Sequence, residues 1–200
     1  VWVWWKIVPR CVYLIHPNAI QCYFDSNPDS LMKMMNEAEV RRMASDMEHL
    51  GFHLIGTKVE RLPLWGGKLR ELSLASTDLL AFASIYVSRS KPIYYFYTPF
   101  SGGGVVLTAN DLFRKVKGPD FIQTVVPYSN PEKVLAEHQE HVQGFINKGL
   151  IPFQQYTGET RVEATYHYYS SHTENRSRRI WGACYSLIFL WWVLLFVLSI

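Results

Sequence analysis

Residues 180–200, IWGACYSLIFLWWVLLFVLSI, contain no charged side chain, and no other feature of the chain limits its fold so strongly. At 1.5 Å per residue a helix of this length reaches about 32 Å, against a hydrocarbon core of roughly 30 Å. An uncharged run of about 18 residues or more reads as a membrane span rather than as a buried core helix. Trp181 and Tyr185 fall near one end, where amphipathic rings suit the headgroup layer. Trp191 and Trp192 fall mid-span, which predicts packing against another helix.

Arg176, Arg178 and Arg179 stand directly before this run. Basic flanks stay on the cytoplasmic side, so the run leaves the cytoplasm at this point. Asn175-Arg176-Ser177 matches a glycosylation acceptor, but its place against the membrane on the cytoplasmic side makes the match accidental. At the other end, VWVWWKIVPRCVYLI is apolar and aromatic, with Lys6 and Arg10 inserted. We read residues 1–15 as the remainder of a truncated N-terminal span, with Lys6 and Arg10 as its cytoplasmic flank. The competing reading is an anchor helix lying in the interface. A signal peptide fits poorly, because no small-residue cleavage site follows. Both basic flanks face the middle of the chain, which places residues 16–174 in the cytoplasm and residues 175–200 in the basic flank and span.

Only 18% of the 200 residues are charged, against about 25% in ordinary soluble domains. With 48% hydrophobic residues and three cysteines, this excludes a disordered chain, a collagen-like chain, a disulfide scaffold and an ordinary fully soluble enzyme. Cys11, Cys22 and Cys184 form no CxxC pair, so neither a redox motif nor a zinc knuckle is indicated. Cys11 is juxtamembrane and is a candidate for acylation, although a small hydrophobe at this position needs no such role.

The middle segment reads as α+β. His16-Pro17 to Asp25 looks like a linker. Asn27-Pro28-Asp29 carries helix-start chemistry, and Met32, Met35, Val40, Met43, Met47 and Leu50 follow at helical spacing up to Gly51. Strands are predicted over 52–61, 69–75, 79–87, 93–100 and 105–108, with a shorter sixth over 121–126, from β-branched and aromatic content between Gly and Pro punctuation. Trp65-Gly66-Gly67 is expected as a turn, and 111–117 as a helical turn. Short connections imply an antiparallel sheet of about five to six strands, with helices packed on one face. A second helix opens at Asn130-Pro131-Glu132 and ends at Gly149. A third opens at Thr157, with Val162, Tyr166 and Tyr169 as its stripe, and is expected to run straight into the span.

The segments GFHLIGTKVERLP, FASIYVSRSKPIYYFYTPFSGGGVVLTAN, KVLAEHQEHVQGF and PFQQYTGETRVEA resemble a family of uncharacterised bacterial α+β proteins with flanking membrane spans. The resemblance runs in order along residues 1–200. It implies a bacterial inner-membrane protein and brings no activity with it, because none of the segments is a catalytic signature.

Chemistry is sparse. Glu137-His138-Gln139-Glu140-His141 sets His138 and His141 three apart and Glu137 and His141 four apart, spacings that can hold a metal on one helix face. The order matches no zinc-protease motif, and His138, on the apolar face of its helix, reads first as a hydrogen-bonded core histidine, with His141 at the edge of that face. Ser101-Gly102-Gly103-Gly104 runs into a strand, so it is a hairpin loop and not a phosphate cradle. No Gly-x-Ser-x-Gly elbow is present. Tyr166, His167, Tyr168, Tyr169 and His172 form a titratable aromatic group just before the membrane, suited to a headgroup, a partner helix or plain interfacial packing. The net charge of +3 lies mostly in the flanks of the spans, which argues against nucleic acid. The expectation is therefore a membrane-anchored binding, adaptor or sensor module on the cytoplasmic face. It has no catalytic residue and no cofactor, and its partners are the bilayer and a membrane or cytoplasmic protein. The alternatives are a membrane-associated enzyme using Glu137, His138 and His141 with a metal or in acid–base roles, and a lipid-handling accessory using the aromatic sheet face.

Overall fold

A computed structural model describes residues 2–25, 37–64, 67–88, 91–111, 115–127 and 129–198. The chain runs α1 (Trp2–Ile15), β1 (Gln21–Asp25), α2 (Glu37–His49), β2 (His53–Arg61), β3 (Lys68–Ser76), β4 (Ala81–Ser88), β5 (Lys91–Pro99), β6 (Val105–Ala109), β7 (Val116–Lys117), β8 (Phe121–Val125), α3 (Pro131–Ile146), α4 (Gly158–Ser170) and α5 (His172–Leu198). The helix-start residues Asn27-Pro28-Asp29 and the apolar positions Met32 and Met35 lie outside the described residues, as do Trp65 and Gly66 of the expected turn.

The fold is mixed α+β, built on one eight-stranded sheet ordered β1-β2-β3-β4-β5-β6-β8-β7. Two strands exceed the expectation. Gln21–Asp25 pairs with β2 as an antiparallel edge strand instead of forming a linker. Its sequence QCYFD shows no strong alternation. It is held because the Phe24 ring lies over two glycines: a Cβ on Gly56 or on Gly158 would meet that ring at 2.7 Å or 2.5 Å. Val116–Lys117 is a two-residue strand on the outside of β8, where a helical turn was expected. β6 and β8 are parallel, Val105 opposite Phe121, so the sheet is not wholly antiparallel as short connections implied.

Helices cover both faces of the sheet, not one. On the first face, Val40, Met43 and Met47 of α2 and Val134 and Leu135 of α3 pack on Leu72, Leu74, Ala83, Ile85 and Phe96. Val142 and Phe145 extend this layer over Val106 and Ile122. On the second face, Ala164 of α4 and Tyr156 pack with Phe82, Tyr95, Tyr97 and Leu107. Period-2 alternation in β3–β6 therefore buries both sets of side chains, as in a central strand covered on each side.

Helix ends follow the expected chemistry. Asn130 Oδ1 accepts from the Lys133 amide, with Pro131 in the first turn of α3. Gly51 and Gly149 take the positive φ that ends α2 and α3 (+91° and +87°). Thr157 and Thr160 form a reciprocal capping box at the start of α4. The third helix does not run straight into the span. Ser171 leaves the helical region at ψ 142°, and its Oγ accepts from the Glu174 amide to start α5.

Among the described residues, one helix is long and apolar enough to cross a membrane, Glu174–Leu198 within α5. α1 runs antiparallel beside it: Trp4 meets Phe189 edge-on at 5.0 Å, Arg10 lies over the Tyr185 ring at 5.0 Å, and Tyr13 and Leu14 lie against Gly182. Trp191 and Trp192, expected to pack against another helix, are more than half exposed on α5.

Candidate functional site

His138 is fully buried beneath α3, with Nε2 2.9 Å from Thr98 Oγ1 and Nδ1 3.2 Å from Thr108 Oγ1. Thr98 already donates its hydroxyl proton to the Leu80 carbonyl at 2.6 Å. Nε2 must therefore donate to Thr98, and Nδ1 accepts from Thr108, which in turn accepts from Thr124 at 3.3 Å. This chain of four hydrogen bonds fixes one neutral tautomer. Burial holds the imidazole down to about 3, with His141 adding to the effect. Both ring nitrogens are engaged. His141, at the edge of α3, faces Glu137 at 3.4 Å. Among the described residues no group of three or more His, Cys, Asp or Glu side chains is gathered as a metal would need.

The chemistry-bearing cluster lies on the opposite face, between the sheet and α4. Lys58 and Glu60 sit two apart on β2, and Glu71 stands opposite Lys58 on β3. Two-residue spacing puts Lys58 and Glu60 on the same face, and the register brings Glu71 to them. Lys58 Nζ lies 2.6 Å from Glu60 Oε1 and 2.7 Å from Glu71 Oε1. From α4, Arg161 places a terminal nitrogen 2.7 Å from Glu71 Oε1 and donates to Tyr95 Oη at 2.7 Å. Tyr95 in turn donates to Glu71, 2.7 Å from each oxygen, and Ser84 Oγ lies 3.2 Å away. The Arg161 guanidinium lies within 6 Å of the Phe82, Tyr95 and Tyr97 ring centres. All four ionic groups are buried.

Two carboxylates and two cations balance in sign, which is the condition for keeping charges in a low-dielectric interior. Burial opposes the charged forms of Glu71, Lys58 and Arg161, and their partners outweigh it. Glu71 is held below the ordinary carboxyl value by Lys58 and Arg161. Lys58 is held above its ordinary value by Glu60 and Glu71, and Arg161 by Tyr95 and Glu71. Burial and the Glu71 charge push the Tyr95 phenol up to about 12.

A cavity of about 170 Å³ opens beside this cluster. Lys58, Glu60, Glu71 and Arg161 line it from the domain, the rings of Tyr86, Tyr95, Tyr97, Tyr168 and Tyr169 form apolar wall, and Glu174 and Arg178 reach it from α5. Tyr169 donates to Glu60 Oε2 at 2.5 Å, and Tyr168 donates to Gln123 at 3.0 Å. Arg178 does more than flank a span. Its guanidinium lies 3.7 Å over the Tyr169 ring and 4.6 Å over the Tyr13 ring of α1, donates to the Pro17 carbonyl at 3.1 Å, and pairs with Glu174 at 3.5 Å. One side chain thus ties the cavity wall to both apolar helices.

The other expected residues scatter. Arg176 is exposed, Arg179 donates to Asn175 at 3.2 Å, and Arg10 lies over Tyr185. The Lys6 and His172 side chains lie outside the described residues. Of the premembrane aromatic group, Tyr168 and Tyr169 enter the site. Tyr166 instead accepts from the Cys22 amide and His167 packs on Phe153. The buried stripe of α4 is Arg161, Ala164 and Thr165, not Val162, Tyr166 and Tyr169. Lys58, Glu60, Glu71 and Arg161 were not singled out from the sequence. The available signal was charge in place of apolar residues at alternate positions of β2, and an arginine with Thr165 and Tyr168 at four and seven residues' distance. No protein family, curated protein or solved structure matches the chain.

Proposed function

We propose that the chain is a membrane-anchored sensor module of a bacterial inner membrane, with residues 16–174 on the cytoplasmic face, and that the cavity beside Glu71 and Arg161 takes a small zwitterionic ligand. The observation that carries this reading is Arg178, which contacts the cavity wall, the end of α1 and the start of the membrane helix together. A ligand that moves Arg178 alters the seating of both helices. The basic flanks support the cytoplasmic placement. The size of the ligand follows from the volume: a hole of about 150 Å³ accommodates benzene, so one of about 170 Å³ suits a molecule of roughly amino-acid size. Its class follows from the walls. Three cations and three carboxylates alternate among tyrosine rings, so no net field selects an anion or a cation. A molecule carrying both charges can add hydrogen bonds to groups of each sign.

The test is thermal unfolding of the full chain in nanodiscs with a panel of free amino acids and betaines. At a hundred times its dissociation constant a ligand adds about 2.7 kcal/mol. At least one zwitterion raises the wild-type midpoint and leaves Arg178→Ala unmoved. A panel without effect on the wild type contradicts the reading. Accessibility of residues 16–174 to protease only from outside intact cells contradicts the cytoplasmic placement.

A further inference from the structure

The register of the sheet fixes which of its ends faces the membrane helices. Arg178 at the start of the apolar run touches the Pro17 carbonyl, and Asn175 donates to Asn18, so the segment leaving α1 begins at the level of the basic flank. β1 starts four residues later at Gln21, and Gln21 pairs with Arg61 at the end of β2. The β2–β3 hairpin therefore turns at the membrane-proximal end of the sheet. With strands about 4.8 Å apart, Lys68 on β3 stands roughly 10 Å across the sheet from Gln21.

This hairpin end has an unusual surface. Leu62 donates its amide to the Gly67 carbonyl at 3.1 Å, closing the turn. Leu64 is 56% exposed in the left-handed region at φ 58°, and Leu69 is 42% exposed. Arg61 and Lys68 are exposed and directly opposite one another across the strands. Like charges in that position repel and weaken a hairpin. An anionic surface removes the repulsion and, with the exposed Leu64 and Leu69 beside the two cations, gives the arrangement by which peripheral segments enter a headgroup layer. The pairing of Ser88 with Lys91 puts the last residue of β4 and the first of β5 at the same end of the sheet.

We infer that the β2–β3 hairpin is a lipid-docking tip, which seats Leu64 among the acyl-headgroup boundary and Arg61 and Lys68 on anionic headgroups of the leaflet that α5 enters. The inference rests on the reading of α5 as a span and is independent of any ligand in the cavity. Docking adds a contact at the β2–β3 end of the sheet to the attachments the domain has through α1 and α5. Each basic residue at an anionic leaflet strengthens attachment about fivefold, and salt weakens it by screening.

The experiment compares amide hydrogen exchange of residues 61–69 in the full chain, held in nanodiscs of phosphatidylcholine alone or with one lipid in three replaced by phosphatidylglycerol. Exchange of this segment slows at least about fivefold in the anionic discs, high salt reverses the slowing, and α3 is unchanged throughout. The double variant Arg61→Ala, Lys68→Ala removes the slowing, and both positions are exposed, so the fold stays intact. Equal exchange in the two lipids overturns the inference, as does slowing that survives in the double variant. Cavity occupancy is not read by this measurement, so its failure leaves the ligand proposal standing.

Discussion

Replacing Glu71 with alanine removes the acceptor on which the buried cluster converges. The carboxylate lies 2.7 Å from Lys58, Arg161 and Tyr95 and 3.2 Å from Ser84. Without it two buried cations share Glu60, leaving one uncompensated positive charge in the interior. Breaking a buried ion pair from one side costs about 3–5 kcal/mol, a large share of the roughly 5–15 kcal/mol that holds a domain folded. Urea unfolding of the full chain in nanodiscs, followed by domain tyrosine signals, reads this loss. Adding Lys58→Met to Glu71→Ala restores neutrality, because one buried cation, Arg161, and one buried carboxylate, Glu60, then remain. The double variant is less destabilised than the sum of the single ones, by about 1–3 kcal/mol. The same carboxyl sets an acid limb. Its folded value lies below the ordinary 4.5, so its stabilisation is complete above that value and is lost as pH falls through the lower folded one. Glu71→Gln lacks this limb. A cost below about 1 kcal/mol for Glu71→Ala, or strict additivity with Lys58→Met, refutes the reasoning.

Three further outcomes follow from particular contacts. His138→Leu orphans the Thr108 hydroxyl and costs about 1–3 kcal/mol at neutral pH. In the wild type the folded histidine stays neutral down to about 3 while the unfolded one protonates below 6.5. Stability therefore falls by about 1.4 kcal/mol per pH unit below 6.5, and urea unfolding of His138→Leu shows no such contribution. A Cβ on Gly182 would lie 2.8 Å from the Tyr13 carbonyl carbon and 2.9 Å from Leu14 Cα, so Gly182→Val separates α1 from α5. The disulfide yield of a Trp4→Cys, Phe189→Cys pair falls with it, and an unchanged yield contradicts the packing. Thr157→Ala removes the capping box of α4 and lowers stability by about 1 kcal/mol, measured by the same unfolding assay.

Much of the scaffold was legible because its signals are local. Apolar and aromatic runs between Gly and Pro located β2 to β6 and β8, and Asn130-Pro131 and Thr157-Gly158 marked helix starts by capping chemistry. The Ser101–Gly104 loop turns with positive φ at Gly102 and Gly103, as glycines before a strand suggested. What escaped depends on distant partners. Gln21–Asp25 becomes a strand only because Gly56 and Gly158 make room for Phe24. The second covered face was missed because nothing local to Lys58, Glu60 and Glu71 marks their burial, and Arg161, which neutralises Glu71, lies ninety residues later in sequence. The site escaped for the same reason. Histidine spacing within α3 drew attention to His138, which completes a core hydrogen-bond chain, and to His141, which faces Glu137 at the edge of the helix. The cavity depends on strand register together with the break at Ser171, which aims Arg178 across Tyr169.

The central claim is that the cavity joined to α5 through Arg178 holds a small zwitterion. Native mass spectrometry of the full chain, released from its own membranes in mild detergent, tests it most directly. The account predicts a wild-type species carrying one additional small polar molecule, and a bare Arg178→Ala chain. A bare wild-type chain, or an added mass retained equally by Arg178→Ala, contradicts it.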